Sequence, residues 1–297
     1  MSKEKKTNIP VSIKTRLLNL SRESRLDYMK LLVRYMQERL LYRISMSAYR
    51  EHLLLKGSAL LYAYQPFDAR PTVDIDLLGH QWNNSPEEIK AAFTQICAIE
   101  CEEDGVTFDA QTIRIAPIAI EKRYPGVCVV VDAHLDTIVQ PVSIDIGFGD
   151  VVTPGPHQLD YPVLLDEMPR PTLMAYSLES SIAEKFHAMI ERDSQNSRMK
   201  DFFDVYMILM YYEVEPAVLA EAIQNTFRRR ETRYTPYAAL FSESFATEAG
   251  RVQQWKAFLK RIRWPEELDF GEVVACIREH IGPYWNERNI TECGRGC

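Results

Sequence analysis

Apolar residues recur at 3.6-residue spacing along residues 21–43, where Leu26, Met29, Leu32, Val33, Met36, Leu40 and Leu41 share a helical face and Ser21 and Ser24 stand at its start as caps. A second helix is predicted over 46–55. A short third one over 59–64 opens from the glycine turn at Lys56-Gly57-Ser58 and stops before Pro66. The period then changes from 3.6 to 2. Strands are predicted over 72–78, 111–120, 126–135 and 137–148, and the last three follow one another closely enough to form an antiparallel meander. A helix over 86–101 separates the first strand from that meander. From residue 178 onward the pattern is helical, over 178–192, 199–212, 216–227, 250–262 and 270–281. The expected class is therefore α+β. Residues 1–170 would hold N-terminal helices and a sheet-bearing core, residues 171–297 would be helical, and Pro162, Pro169 and Pro171 mark the junction.

Composition places limits on this picture. The 297 residues are 46% hydrophobic and 26% charged, which suits a globular protein with a sizeable core and excludes disordered or collagen-like chains. No run approaches the roughly 18 consecutive apolar residues of a membrane span, and residues 1–10 lack the apolar stretch of a secretory signal, so the expected location is the cytoplasm, without a membrane partner. The six cysteines read as free thiols in that compartment, because neither Cys97 with Cys101 nor Cys293 with Cys297 has a companion pair at zinc-ligand spacing. The net charge of −7 conceals an uneven distribution: +8 over residues 1–50, −16 over 51–220, +5 over 221–263 and −4 over 264–297. An acidic middle between basic segments suits a body that holds cations and edges that attract a polyanion, and Lys14, Arg16, Arg228, Arg229, Arg230 and Arg233 are the residues expected on an RNA-facing surface.

The sharpest chemical signal is Thr72-Val73-Asp74-Ile75-Asp76-Leu77-Leu78. On a strand, Asp74 and Asp76 point the same way while the apolar residues between them point to the other face. Two adjacent carboxylates repel unless a cation lies between them, and Mg²⁺, which prefers oxygen ligands and phosphates, answers that need. Asp145 lies between two isoleucines in Val142-Ser143-Ile144-Asp145-Ile146, a setting in which an unpaired charge is costly. If its strand adjoins that of Asp74 and Asp76, three carboxylates converge, enough for divalent ions that assist phosphoryl or nucleotidyl transfer. Gly57 and Ser58, at a helix start just upstream, can cradle a phosphate on backbone N–H groups. In the helical half, Lys185 and Arg192 stand seven apart on one helix face, as basic groups reaching a triphosphate should, and Asp201 and Asp204 stand at i,i+3. His187 reads as a helix-face residue. Neither a P-loop nor a dinucleotide fingerprint occurs, and no Ser-His-Asp or Cys-His order points to covalent catalysis.

Taken in order, Leu55-Lys56-Gly57-Ser58-Ala59-Leu60, Arg70-Pro71-Thr72-Val73-Asp74-Ile75-Asp76, Ala183-Glu184-Lys185 with Arg192, and Lys200-Asp201-Phe202-Phe203-Asp204 resemble the AbiEii-type nucleotidyltransferase toxins of type IV toxin–antitoxin and abortive-infection systems. The resemblance spans residues 50–212. It implies a nucleotidyltransferase fold of the DNA-polymerase-β type with a helical C-terminal region that contributes to the active site. It also implies an enzyme that takes a nucleoside triphosphate with Mg²⁺ and moves the nucleotide onto an acceptor, plausibly the 3′ end of tRNA, with a separately encoded antitoxin as partner. Carried over by residue, Gly57 and Ser58 would hold the triphosphate with Arg70 and Arg192. Asp74 and Asp76 would bind Mg²⁺, Asp145 would be a third ligand or the base, Lys185 would neutralise phosphate charge, and Asp201 or Asp204 would position Lys185 or the substrate. Two other readings remain at this stage: a helical adapter that binds nucleic acid or protein through its basic segments, and a D-x-D glycosyltransferase, disfavoured because no βαβ nucleotide-binding half precedes the acids.

Overall fold

A computed structural model describes residues 8–64, 74–118, 126–287 and 290. The chain forms two compact units, one comprising Met1–Gly149 with His157–Ala175, the other Asp150–Pro156 with Tyr176–Cys297.

The first unit is built on helices α1 (Ile9–Ser24), α2 (Tyr28–Met46), α3 (Gly57–Tyr64) and α4 (Pro86–Cys97) and strands β1 (Leu53–Lys56), β2 (Asp74–Gly79), β3 (Val106–Pro117), β4 (Gly126–Leu135), β5 (Ile138–Phe148), β6 (His157–Asp160) and β7 (Thr172–Ala175). The strands form one mixed sheet in the order β3-β4-β5-β2-β1-β7-β6. The meander β3-β4-β5 is antiparallel as expected, whereas β2 runs parallel to β5 and β1 parallel to β7.

Four departures from the periodicity have local causes. The predicted helix over 21–43 is two helices, because Arg25 adopts a left-handed conformation (φ 58°) and Asp27, not Ser21 or Ser24, caps α2 by accepting from the Lys30 N–H at 3.0 Å. The predicted helix over 46–55 ends instead in the strand β1, whose Leu53, Leu54 and Leu55 are wholly buried. A continuous apolar run fits a central strand covered on both faces as well as a helix, and burial of each leucine contributes roughly 1.5–3 kcal/mol. β3 begins five residues before the predicted 111 because its alternation is broken by a bulge between Asp109 and Arg114, where the Thr112 hydroxyl accepts from the Asp132 N–H at 2.9 Å. The short β6 and β7 flank the proline-rich stretch and belong to the sheet, so the second unit starts after Ala175 and also takes the segment Asp150–Pro156. Residues 72–73, 119 and 120 of the predicted strands lie outside the described residues.

Helix α2 packs against this sheet through Leu32, Tyr35, Met36, Leu40 and Ile44, and it carries charge into the core. Arg43 forms a two-pronged pair with Asp104 (Nη2 to Oδ1 3.1 Å) and donates to the Val106 carbonyl, while the Tyr35 hydroxyl donates to the Asp104 carbonyl at 2.9 Å. One turn away, Glu38 pairs with Arg39 at 2.5 Å and accepts from the Leu164 N–H at 2.7 Å. Burial nevertheless pushes the Glu38 carboxyl up to about 7.

The second unit is helical: α5 (Leu178–Arg192), α6 (Met199–Tyr211), α7 (Pro216–Arg229), α8 (Ala249–Ile262) and α9 (Phe270–Ile281), all close to their predicted spans. Its core is aromatic, with Phe186, Phe227 and Trp285 in mutual contact and Phe203 against Trp255, Phe258 and Trp264. Cys97, Cys101, Cys128 and Cys276 are free thiols. No described helix is long and apolar enough to cross a membrane.

Candidate active site

The parallel pairing of β2 with β5 brings the acids together. Asp76 is in register with Asp145 and Asp74 with Ser143, and the half-buried pattern at Asp74, Asp76, Ser143 and Asp145 against fully buried Ile75, Leu77, Ile144 and Ile146 puts all four polar side chains on one face. β4 adds Cys128, in register with Asp145 on the other side, with its thiol 3.4 Å from the Ser143 hydroxyl. Burial and the neighbouring Asp145 and Asp74 hold that thiol protonated, above the ordinary cysteine range.

The glycine turn abuts this face. β1 is antiparallel to β2, and Gly57 follows Lys56, which is in register with Asp76. Gly57 has φ +65°, and a Cβ placed on it would lie 2.7 Å from Asp76 Cγ and 2.8 Å from Asp76 Cβ. Glycine is required twice over, once by the backbone conformation and once because the main chain lies directly against the carboxylate side chain. Ser58, in the first turn of α3, is buried. Arg70 lies outside the described residues.

As a donor set, Asp74, Asp76 and Asp145 offer hard carboxylate oxygens on one face, the chemistry Mg²⁺ prefers. Among the described residues, no three histidine, cysteine or acidic side chains stand close enough together to hold an ion as they are placed. The three carboxylates therefore match a divalent cation in chemistry and in the face they share, while their present spacing does not by itself form a closed site.

The second unit holds the other group of sequence candidates. Lys185 of α5 lies 2.7 Å from Asp204 and 3.3 Å from Asp201 of α6, so both acids touch the lysine. The two aspartates are 1–2% exposed and Lys185 12%. Arg198 Nε adds a second cation 2.8 Å from Asp201. Arg192, by contrast, is exposed in the last turn of α5 and does not share the buried surroundings of Lys185.

A neighbouring network had no clear signal in the sequence. Arg230 binds Asp150 (Nη2 to Oδ1 2.9 Å), lies 3.7 Å from Glu184 and contacts His187 Nδ1 at 3.2 Å, while Tyr176 donates to Glu184 at 2.9 Å. Because Arg230 can only donate, His187 accepts on Nδ1 and carries its proton on Nε2, which donates to the Thr232 hydroxyl at 2.6 Å. His187 thus lies on a buried face of α5. Arg230 is likewise engaged in a largely buried network, Lys14 and Arg16 pair at the surface with Asp136 and Glu167, and Arg228, Arg229 and Arg233 are exposed.

The first unit thus has a mixed sheet with a glycine turn packed on paired strand acids, and the second has a buried Lys-Asp-Asp group. The chain belongs to the family of the AbiEii nucleotidyl transferase toxin of type IV toxin–antitoxin systems, whose pattern matches residues 39–276. It is accordingly a nucleotidyltransferase of α+β architecture, not a glycosyltransferase or a non-enzymatic adapter. Among solved structures, the JHP933 protein of Helicobacter pylori is similar at 15% identity and a TM-score of 0.48, over 87% of this chain and 93% of that one. A second H. pylori protein, provisionally described as a nucleotidyltransferase, is similar at 13% identity and a TM-score of 0.48, over 91% and 100% of the two chains. Comparison with curated proteins gives no match.

Proposed function

We propose that the enzyme uses a divalent cation, Mg²⁺, to move a nucleotide from a nucleoside triphosphate onto the 3′ end of an RNA, with tRNA as the acceptor, and that a separately encoded antitoxin restrains it. The observation that carries this reading is the packing of Gly57 on Asp76, with Asp145 next to Asp76 across the parallel ladder. That arrangement sets the start of α3, where backbone N–H groups can receive phosphate, against carboxylates able to hold the cation that accompanies it.

Asp74, Asp76 and Asp145 would hold the ion, which when bound offsets charge on the phosphates. Gly57 and Ser58 would receive the triphosphate. A carboxylate on this face would take the proton of the acceptor hydroxyl as that oxygen bonds to the α-phosphorus and pyrophosphate departs. The buried Lys185–Asp204 pair supports a role for Lys185 as a positioned cation rather than a mobile surface one. The exposed Arg228, Arg229 and Arg233 support an attraction to RNA, which would weaken steeply with added salt.

The test is incubation of the full-length protein with each labelled nucleoside triphosphate and total tRNA, with and without Mg²⁺. Label should appear on the RNA only with the cation. Asp76→Asn should lose about 10²- to 10⁴-fold in rate, the equivalent of roughly 3–5 kcal/mol of transition-state stabilisation. Transfer at an unchanged rate by a folded Asp76→Asn protein would overturn the assignment, and transfer to protein instead of RNA would replace the acceptor.

A further inference from the structure

The acid face also carries an ammonium group. Lys56, the last residue of β1, is in register with Asp76 in the antiparallel β1–β2 ladder, so the two side chains leave the sheet on the same side. The lysine then reaches across β2: its Nζ lies 3.8 Å from the position a Cβ would occupy on Gly147 of β5. Gly147 is two residues beyond Asp145 and hence on the same face, so the ammonium stands in contact range of β5 on the side that carries Asp145. No other described heavy atom outside its chain neighbours comes within 4 Å of that position. The positive end of Lys56 thus stands against β5 beside the row formed by Asp76 and Asp145.

We infer that Lys56 is the internal counter-ion of the acid face when no divalent cation is bound, and that it competes with that cation, so that the ion binds well only together with the nucleotide. The inference rests on the reading of Asp74, Asp76 and Asp145 as cation ligands. An ammonium among carboxylates relieves their mutual repulsion in the empty site, and the same charge opposes an incoming ion. A unit charge about 6 Å from a divalent ion costs that ion about tenfold in affinity even at the dielectric of water, and more where water is partly excluded. Lys56 directly precedes Gly57 at the start of α3. A triphosphate received there offers the ammonium a new partner and frees the carboxylates for the ion. Cation and nucleotide then favour each other's binding through one mobile side chain.

The experiment is Mg²⁺ titration into the nucleotide-free, full-length protein, followed by calorimetry and by the cation-induced rise in melting temperature. Wild type, Lys56→Met, Lys56→Arg and Asp76→Asn are compared, with Lys56→Gln in reserve should the methionine variant fail to fold. Loss of the ammonium should tighten Mg²⁺ binding at least about tenfold and enlarge the thermal shift, Lys56→Arg should behave as wild type, and Asp76→Asn should bind no ion. Equal or weaker binding by Lys56→Met and Lys56→Gln, with Asp76→Asn still silent, would overturn the role of Lys56 and leave the cation site standing. Binding that survives Asp76→Asn, or that is absent from every variant, would overturn the cation site and the inference with it.

Discussion

Replacement of Gly57 by alanine isolates the contact on which the active-site reading turns. Two costs follow from the geometry. A left-handed backbone at φ +65° costs an L-residue about 1–2 kcal/mol, and the added methyl would lie 2.7 Å from Asp76 Cγ and 2.8 Å from Asp76 Cβ, closer than real carbon contacts allow, with a carboxylate oxygen nearer still. All three nearest atoms belong to Asp76, and because its Cβ is fixed to β2, the turn or the strand must shift and carry the carboxylate with it. Together these predict a loss of about 2–3 kcal/mol in stability, which for a unit of this size corresponds to a fall of about 4–10 °C in melting temperature. The effect on transfer should be larger than on folding. A displaced Asp76 carboxylate behaves as a missing one, so Gly57→Ala should lose at least about 10²-fold in rate while remaining folded at 25 °C. The double variant with Asp76→Asn tells whether the loss passes through Asp76: if it does, the pair is hardly slower than Asp76→Asn alone, whereas independent effects multiply. A Gly57→Ala protein with wild-type transfer and melting, or a pair whose losses multiply in full, would refute the reasoning.

Two further predictions concern buried charge. Lys185→Met removes the cation held between Asp201 and Asp204, which are almost wholly buried, and should cost about 3–5 kcal/mol of stability at neutral pH; melting at pH 7.5, set beside turnover per folded molecule, checks this, and unchanged melting would contradict it. Glu38 has its carboxyl raised from 4.5 to about 7 by burial, so the folded state holds the proton more tightly than the unfolded chain. Its contribution is full below about pH 4.5 and is lost as pH rises through 7. Chemical denaturation across that window should therefore show a decline, to which this one group contributes up to roughly 3 kcal/mol, and Glu38→Gln should flatten it; an equal decline in Glu38→Gln would assign it to other groups.

Local periodicity alone was enough for the helices of the second unit and for β4, because α5, α9 and β4 occupy the predicted residues, and β4 alternates buried with half-buried positions. The alternation of Asp74 and Asp76 with Ile75 and Leu77 likewise put both acids on one face of β2 before any partner strand was known, and Gly57 announced its turn. Pairing was another matter. That β2 should lie parallel to β5, with Asp76 beside Asp145, depends on contacts between segments far apart in the chain, which no local pattern encodes. The same holds for Leu53–Leu55, whose apolar run fits a helix or a buried strand until β2 and β7 flank it. Charge was read least well from the sequence, because Lys14, Arg16 and Arg230 count as free cations in a tally but meet Asp136, Glu167 and Asp150 in space. Both Asp201 and Asp204 reach Lys185 only because α6 packs on α5, and Lys56 joins the acid face only because β1 pairs with β2 in the register that sets it beside Asp76.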